Sequence, residues 1–218
     1  MMTTYHFRII LLFFLLSIPG LPQQSKLSRA VNHLSEFIAS DSFKELKRTN
    51  DDLTLVDSIY LRAVNIANKD YSEALLATTF TTIPYREVPI VVPLIKSLIY
   101  YPLVSADDST FKKKNRNLPR QLFIDSPDND YGDLDKLAHF FGNAFIGYSE
   151  NILDLSHLIG YFVESFEEDF KVDSRVDCRD LDVNSYGDYF GKLLEKHNEL
   201  LPSQVMLIRS LRYFNFVQ

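Results

Sequence analysis

Residues 179–191, RDLDVNSYGDYFG, carry the strongest structural signal in the chain. At helical spacing they place Asp180, Asn184, Gly187 and Gly191 on one stripe, because residues three or four apart share a face. A glycine inside a helix costs about 1 kcal/mol relative to alanine, so two on one stripe need compensation. We expect a neighbouring helix to approach this stripe closely, with the glycines leaving room for its backbone or polar side chains.

Two preceding segments carry comparable polar stripes. Residues 133–150 read as a helix on which Asp135, His139 and Asn143 are spaced by four. A second helix is expected at residues 154–170, and its polar residues on one side are His157, Glu164 and Glu168. Packing the three stripes together would bring acids, amides and a histidine into one pocket or network. The helix that carries the glycines is expected to span residues 180–201 and to be ended by Pro202. The sequence therefore predicts a C-terminal helical unit, residues 133–218, with a shared polar site.

The N-terminal region, residues 25–132, also reads as mainly helical. Apolar residues recur at three- and four-residue steps, which predicts helices at residues 26–48, 52–68 and 71–80. Prolines then recur every few residues between 84 and 104, among β-branched and aromatic residues, and proline excludes a regular helix. We expect extended or hairpin-like segments there, packed on a mainly α-helical bundle.

Residues 111–132 are predicted to be a polar connection. Its basic run KKKNR, residues 112–116, reads as a solvated loop rather than a lipid or phosphate patch. The five aspartates of DSPDNDYGDLD, residues 125–135, suggest a calcium-binding loop. Such a loop has an acid at its first position and a glycine at its sixth, and with Gly132 as the sixth residue the first would be Pro127. The preferred interpretation is a helix-entry loop, in which acids favour the N-terminus of the following helix.

The first 24 residues resemble a signal peptide. Arg8 precedes an apolar run, Ile9–Ile18, of about ten residues, where crossing a bilayer takes about 20. We expect cleavage near residues 20–25 and export to a bacterial periplasm or envelope, with an uncleaved N-terminal anchor as the alternative and no transmembrane span once the leader is removed. Cys178 is the single cysteine, so no internal disulfide can form. The net charge of −6 argues against nucleic acid as a partner.

The segment DKLAHFFGNAFIGY, residues 135–148, together with the glycine stripe, resembles the VanZ-like proteins and their small periplasmic YfiM-type relatives. Their pattern runs D-K-x-x-H-F, then a glutamate, then an arginine, then D-x-x-x-N-x-x-G-x-x-x-G. The matching positions are Asp135, Lys136, His139, Phe140, Glu164, Arg175, Asp180, Asn184, Gly187 and Gly191. The resemblance covers residues 133–193 and implies an envelope function, which in one branch is glycopeptide resistance.

The chain departs from the membrane-embedded members of that family. Acidic residues interrupt its second predicted helix; they are Glu164, Glu167, Glu168 and Asp169. No apolar run there reaches the length needed to span a bilayer. The resemblance thus implies a soluble or peripherally attached version.

Two classes of function compete. In the first, the stripes form a structural hydrogen-bond network, with Asp180 paired to Arg175 or Lys136, and the protein is a scaffold or binding module for an envelope protein or a lipid surface. In the second, His139, Glu164 and Asp180 form a catalytic or metal site for a divalent ion or for acid–base work. The supporting residues are then Asp135 and Asn184. Ligand binding without catalysis is a third possibility, and no common catalytic motif decides among them.

Overall fold

The computed structural model describes residues 25–92, 97–149 and 178–216, and in these ranges the chain is mainly helical. They contain eight helices and one two-stranded sheet. In chain order the elements are α1 (Lys26–Ala39), α2 (Asp41–Thr49), α3 (Asp52–Ile66), α4 (Tyr71–Thr82), β1 (Glu87–Val92), β2 (Ser97–Pro102), α5 (Asp108–Asn117), α6 (Lys136–Ser149), α7 (Cys178–Leu194) and α8 (Pro202–Phe216). The predicted mainly α fold is confirmed. The predicted leader and the predicted helix at 154–170 lie outside the described residues.

Short polar side chains cap the N-termini of the helices in the N-terminal region. Each accepts a hydrogen bond from a main-chain N–H two or three residues later; these caps are Ser25, Ser40, Asp51, Asp70 and Asp107. The helix predicted at 26–48 is in fact two helices, because Ser40 intervenes. Its hydroxyl donates to the Phe37 carbonyl and accepts from the Phe43 N–H, so the same residue ends α1 and begins α2.

One hydrophobic core joins the N-terminal and C-terminal helices. Its cluster runs from Leu34 on α1 to Met206 on α8. The ring of Tyr60 on α3 lies 5.6 Å from that of Phe190 on α7, and Phe190 lies 5.5 Å from Phe140 on α6. These aromatic contacts hold the α6–α7 pair against α3, and they fix where the polar stripes of the two helices meet.

The proline-rich segment forms the predicted hairpin. Strands β1 and β2 are antiparallel, with a register that runs from Glu87 opposite Pro102 to Val92 opposite Ser97. At its base, Leu103 N donates to Arg86 O at 2.8 Å. The connecting residues 93–96 lie outside the described ranges.

Two predicted boundaries are wrong. Residues 112–116 belong to helix α5 and not to a solvated loop, because Asp107 caps a helix there and Lys112 pairs with Asp108 one turn earlier at 2.7 Å. Pro202 does not end the helix predicted at 180–201. That helix ends at Leu194, and Pro202 instead begins α8, where its missing N–H costs nothing.

Candidate functional site: a polar network between two helices

Helices α6 and α7 approach so closely that two positions of α7 have no room for a side chain. A Cβ at Gly187 would overlap the carbonyl of Phe140, and one at Gly191 would overlap the carbonyl of Ala144. Both obstacles are backbone atoms of α6, which cannot move aside as a flexible side chain could. This is the close approach that the glycine stripe predicts.

The ammonium of Lys136 lies between two carboxylates at the start of this helix pair. Its Nζ is 2.5 Å from Asp180 Oδ1 and 3.0 Å from Asp135 Oδ2, and the Lys136 side chain is only 5% exposed. Burial opposes the charge on Lys136, but the Asp180 and Asp135 carboxylates outweigh it and hold the pKa of Lys136 above its ordinary value. The lysine is therefore a firmly charged cation inside the site.

One turn further along, His139 is fixed by two amides. Its Nδ1 lies 3.0 Å from Asn184 Oδ1, and Asn143 Nδ2 donates to the same oxygen at 2.9 Å and to the His139 carbonyl at 2.9 Å. Because an amide oxygen only accepts, His139 Nδ1 carries the proton and Nε2 is the basic nitrogen. Burial lowers the pKa of His139, and the Asp180 carboxylate offsets that only in part, so the ring is neutral at pH 7.

Three potential metal ligands also meet here. Asp135, His139 and Asp180 each offer one atom, and these atoms lie within 4.8 Å of one another. An imidazole with two carboxylates suits zinc or another divalent ion. Asp135 Oδ1 is buried and has no hydrogen-bond partner within the described part of the chain, which fits a further ligand. However, His139 Nε2 is 3.8 Å from Asp180 Oδ1, the oxygen that the Lys136 ammonium already contacts.

The structure thus brings together most of the predicted site residues. Six polar ones lie in one network, and they are Asp135, Lys136, His139, Asn143, Asp180 and Asn184. Of the two predicted partners of Asp180, Lys136 makes the ion pair, and Arg175 lies outside the described residues. Glu164, His157 and Glu168 also lie outside them.

A second charged cluster, beside the first, was not predicted as a unit. Asp125 receives two hydrogen bonds from Arg209, at 2.5 and 3.0 Å, and one from Arg179 at 3.0 Å. Arg179 also donates to Asp133 at 2.7 Å, and the Asp133 side chain is fully buried. Burial opposes ionisation of Asp125, but the two guanidinium groups outweigh it and lower the pKa of Asp125 to about 2.

This cluster accounts for two of the five aspartates that suggested a calcium loop. Asp125 and Asp133 are held by arginines, which leaves neither carboxylate open to a hard cation. Nothing in the sequence signals the pairing with Arg209, because that residue is 84 positions away from Asp125.

Comparisons with known proteins add no assignment. No family model, no curated protein and no solved structure matches the chain. The likeness to VanZ-like proteins accordingly stays a prediction. Within the described ranges, none of the helices combines the length and apolar composition that crossing a bilayer requires.

Proposed function

We propose that this is an exported protein of the bacterial cell envelope that serves as a helical scaffold or binding module, and that its polar network holds the C-terminal helices together. The observation that supports the structural role of the network is the Lys136 ammonium between the Asp135 and Asp180 carboxylates. The place that a bound cation would take beside Asp180 is filled by a charge of the chain itself.

Energetics favour a structural role for these groups. A buried carboxylate without a partner costs several kcal/mol, and an adjacent ammonium offsets much of that cost. Asn184 Oδ1 takes hydrogen bonds from both Asn143 and His139, so the amide end of the network is satisfied by the protein alone. These bonds make this helix pairing more favourable than its alternatives, although Asp135 Oδ1 has no hydrogen-bond partner within the described residues.

The location rests on the sequence. The apolar run Ile9–Ile18 has the length of a signal-peptide core, and the resemblance over residues 133–193 implies an envelope protein. Fractionation of the producing cells tests this part. The proposal expects the chain in the envelope fraction, shortened by about its first 24 residues, and a full-length chain in the cytoplasm would contradict it.

The structural role is tested by Asp180→Asn, with Asp188→Asn as the matched control. Both aspartates lie on α7 and pair with a lysine, but the Asp180 side chain is 13% exposed and that of Asp188 is 36% exposed. We expect Asp180→Asn to lower the free energy of unfolding by about 3 kcal/mol, because Lys136 loses a buried partner. Asp188→Asn should change it by no more than about 0.5 kcal/mol. Equal effects in urea denaturation would contradict the structural role.

A metal-dependent or acid–base enzyme remains the second candidate, favoured by the meeting of Asp135, His139 and Asp180. His139 and the two carboxylates would hold the ion, and the ion would supply Lewis-acid chemistry. This candidate predicts that Zn²⁺ or Mn²⁺ raises the melting temperature in the native protein and in Asp188→Asn. The rise should vanish in His139→Ala and Asp180→Asn. The scaffold proposal predicts no rise in any of the four proteins.

A further inference from the structure

The hairpin exposes large apolar side chains, of which Tyr101 is 45% exposed on one face and two more lie on the opposite face. Leu98 is 51% exposed and Tyr100 is 63% exposed. They are two residues apart on β2, so they point to the same side of the strand. A core-packed strand would bury such a pair, so this face is not packed on the helical body and is open to a partner.

The hairpin is firmly attached at its base. Val88 is buried, and the guanidinium of Arg86 donates to Ser105, to Asp108 and to the Ala106 carbonyl, each at 3.2 Å. The hairpin, residues 87–102, contains two charged residues, the exposed Glu87 at its base and Lys96. The hairpin is therefore held in one direction by its base and carries few charges.

Both edges of the hairpin are unsuited to pairing with another strand. Leu103 N donates to Arg86 O, so the main-chain groups of these two residues point inward, toward the opposite strand. Along each strand, the main-chain N–H and C=O groups point alternately toward the opposite strand and away from it. In this register the nitrogens of Pro89 and Pro102 point away from the opposite strand and lie on the outer edges. Proline has no N–H to donate, and prolines on edge strands oppose the addition of a further strand. Addition of a strand from a second copy or a peptide is thus disfavoured.

We propose that the Leu98–Tyr100 face of the hairpin docks on the surface of a lipid bilayer, with Leu98 at the boundary between headgroups and acyl chains. This rests on the envelope location of the proposed function. Tyrosine suits that depth because its ring is apolar and its hydroxyl stays hydrated. Contact stays at the interface, since the outer main-chain groups of an open hairpin need water. With a net charge of −6, the chain should bind zwitterionic vesicles without needing anionic lipid.

A tryptophan reporter tests the contact directly, because the chain contains no tryptophan. Tyr100→Trp is compared with Leu61→Trp, whose position on α3 is 52% exposed and lies on the helical body. With phosphatidylcholine vesicles, we expect the emission of Tyr100→Trp to shift to the blue and to be quenched by brominated acyl chains. The emission of Leu61→Trp should not change.

Affinity is tested in the full chain that carries Tyr100→Trp. Leu98→Gln should weaken vesicle binding about tenfold, since it removes much of the apolar area that enters the interface. Leu61→Gln, the same change at a side chain of equal exposure, should leave binding unchanged.

Three results would overturn the inference. They are an unchanged Tyr100→Trp emission, equal weakening by Leu98→Gln and Leu61→Gln, and a blue shift that appears without vesicles as the protein dimerises. None of them bears on the comparison of Asp180→Asn with Asp188→Asn. Conversely, a failed structural role for the polar network would leave the vesicle result standing.

Discussion

Lys114 is an ionisable residue that lies in the interior of the fold. Its side chain is among the largest fully buried ones, and its Nζ donates to the carbonyls of Thr81 and Ile83 at 2.6 and 3.0 Å. These carbonyls lie at the end of α4, where a helix leaves its last oxygens without partners. The ammonium also lies 4.5 Å from the centroid of the Phe111 ring. Lys114 therefore closes the C-terminus of α4 from the side of α5.

Replacing Lys114 should reveal that role. We expect Lys114→Met to lower the free energy of unfolding by about 2–4 kcal/mol, because two carbonyls lose their donor. The control is Lys113→Met, at the neighbouring exposed position, which should change it by about 0.5 kcal/mol or less. Urea denaturation of the two variants measures the difference, and equal midpoints would contradict this role of Lys114.

The same lysine also gives stability a pH signature. Burial lowers the pKa of Lys114 to about 7, whereas an unfolded lysine titrates near about 10.4. Between these values the unfolded chain binds more protons, so stability rises with pH over this window. Lys114→Met should lack this part of the rise, and an identical pH dependence in both proteins would contradict it.

The sequence indicated that a lysine near residue 114 is buried, but it did not decide which one. Phe111, Lys114 and Leu118 are three and four residues apart, which puts the lysine on the apolar side of a helix. Within KKKNR, however, the three adjacent lysines cannot be told apart from the sequence. Lys114 is the buried one because its side chain reaches the end of α4. That depends on tertiary packing, which spacing alone does not encode.

Among the elements, the α6–α7 pair depends on its two glycines. We expect Gly187→Ala to destabilise the protein by about 2 kcal/mol or more, although alanine favours a helix by about 1 kcal/mol, because the new methyl group meets the Phe140 carbonyl. Ser185→Ala, on the exposed face of α7, is the control and should be nearly neutral. Thermal unfolding of both variants measures this. A Gly187→Ala protein as stable as the native one would show that the helices are not in contact there.

Helix pairing was the part of the site that the sequence predicted best. The spacing of Asp180, Asn184, Gly187 and Gly191 indicates both a helix and its contact face, since both follow from local periodicity. The Lys136–Asp180 pair was one of two alternatives, because either Lys136 or Arg175 could reach the carboxylate. The break at Ser40 was missed since apolar spacing continues across it, although its own hydroxyl makes both caps.

For the whole molecule, Asp125 connects three separate parts of the chain. It lies in the loop before α6 and binds Arg179 at the start of α7 and Arg209 on α8. Because both guanidiniums lower its pKa to about 2, against about 3.9 in the unfolded chain, its stabilising contribution is present above about pH 4. It is lost as the pH falls toward about 2.

Asp125→Asn should therefore be less stable than the native protein at neutral pH and lose less stability between about pH 4 and about pH 2. The control is Asp128→Asn, an exposed position in the same loop. Acid unfolding followed by circular dichroism measures both. If native and Asp125→Asn protein lost the same stability as the pH falls, the role of this cluster would be contradicted. Such long-range pairing was not predictable, because it joins residues that share no local pattern.

The central claim is that Lys136 and Asp180 stabilise the helix pair through each other. A double-mutant cycle of Lys136→Met and Asp180→Asn tests it most directly by denaturation, because it isolates the energy of coupling between the two side chains. The account predicts a coupling of about 2 kcal/mol or more, unchanged by a metal chelator. A coupling near zero, or one that depends on a bound divalent ion, would contradict it.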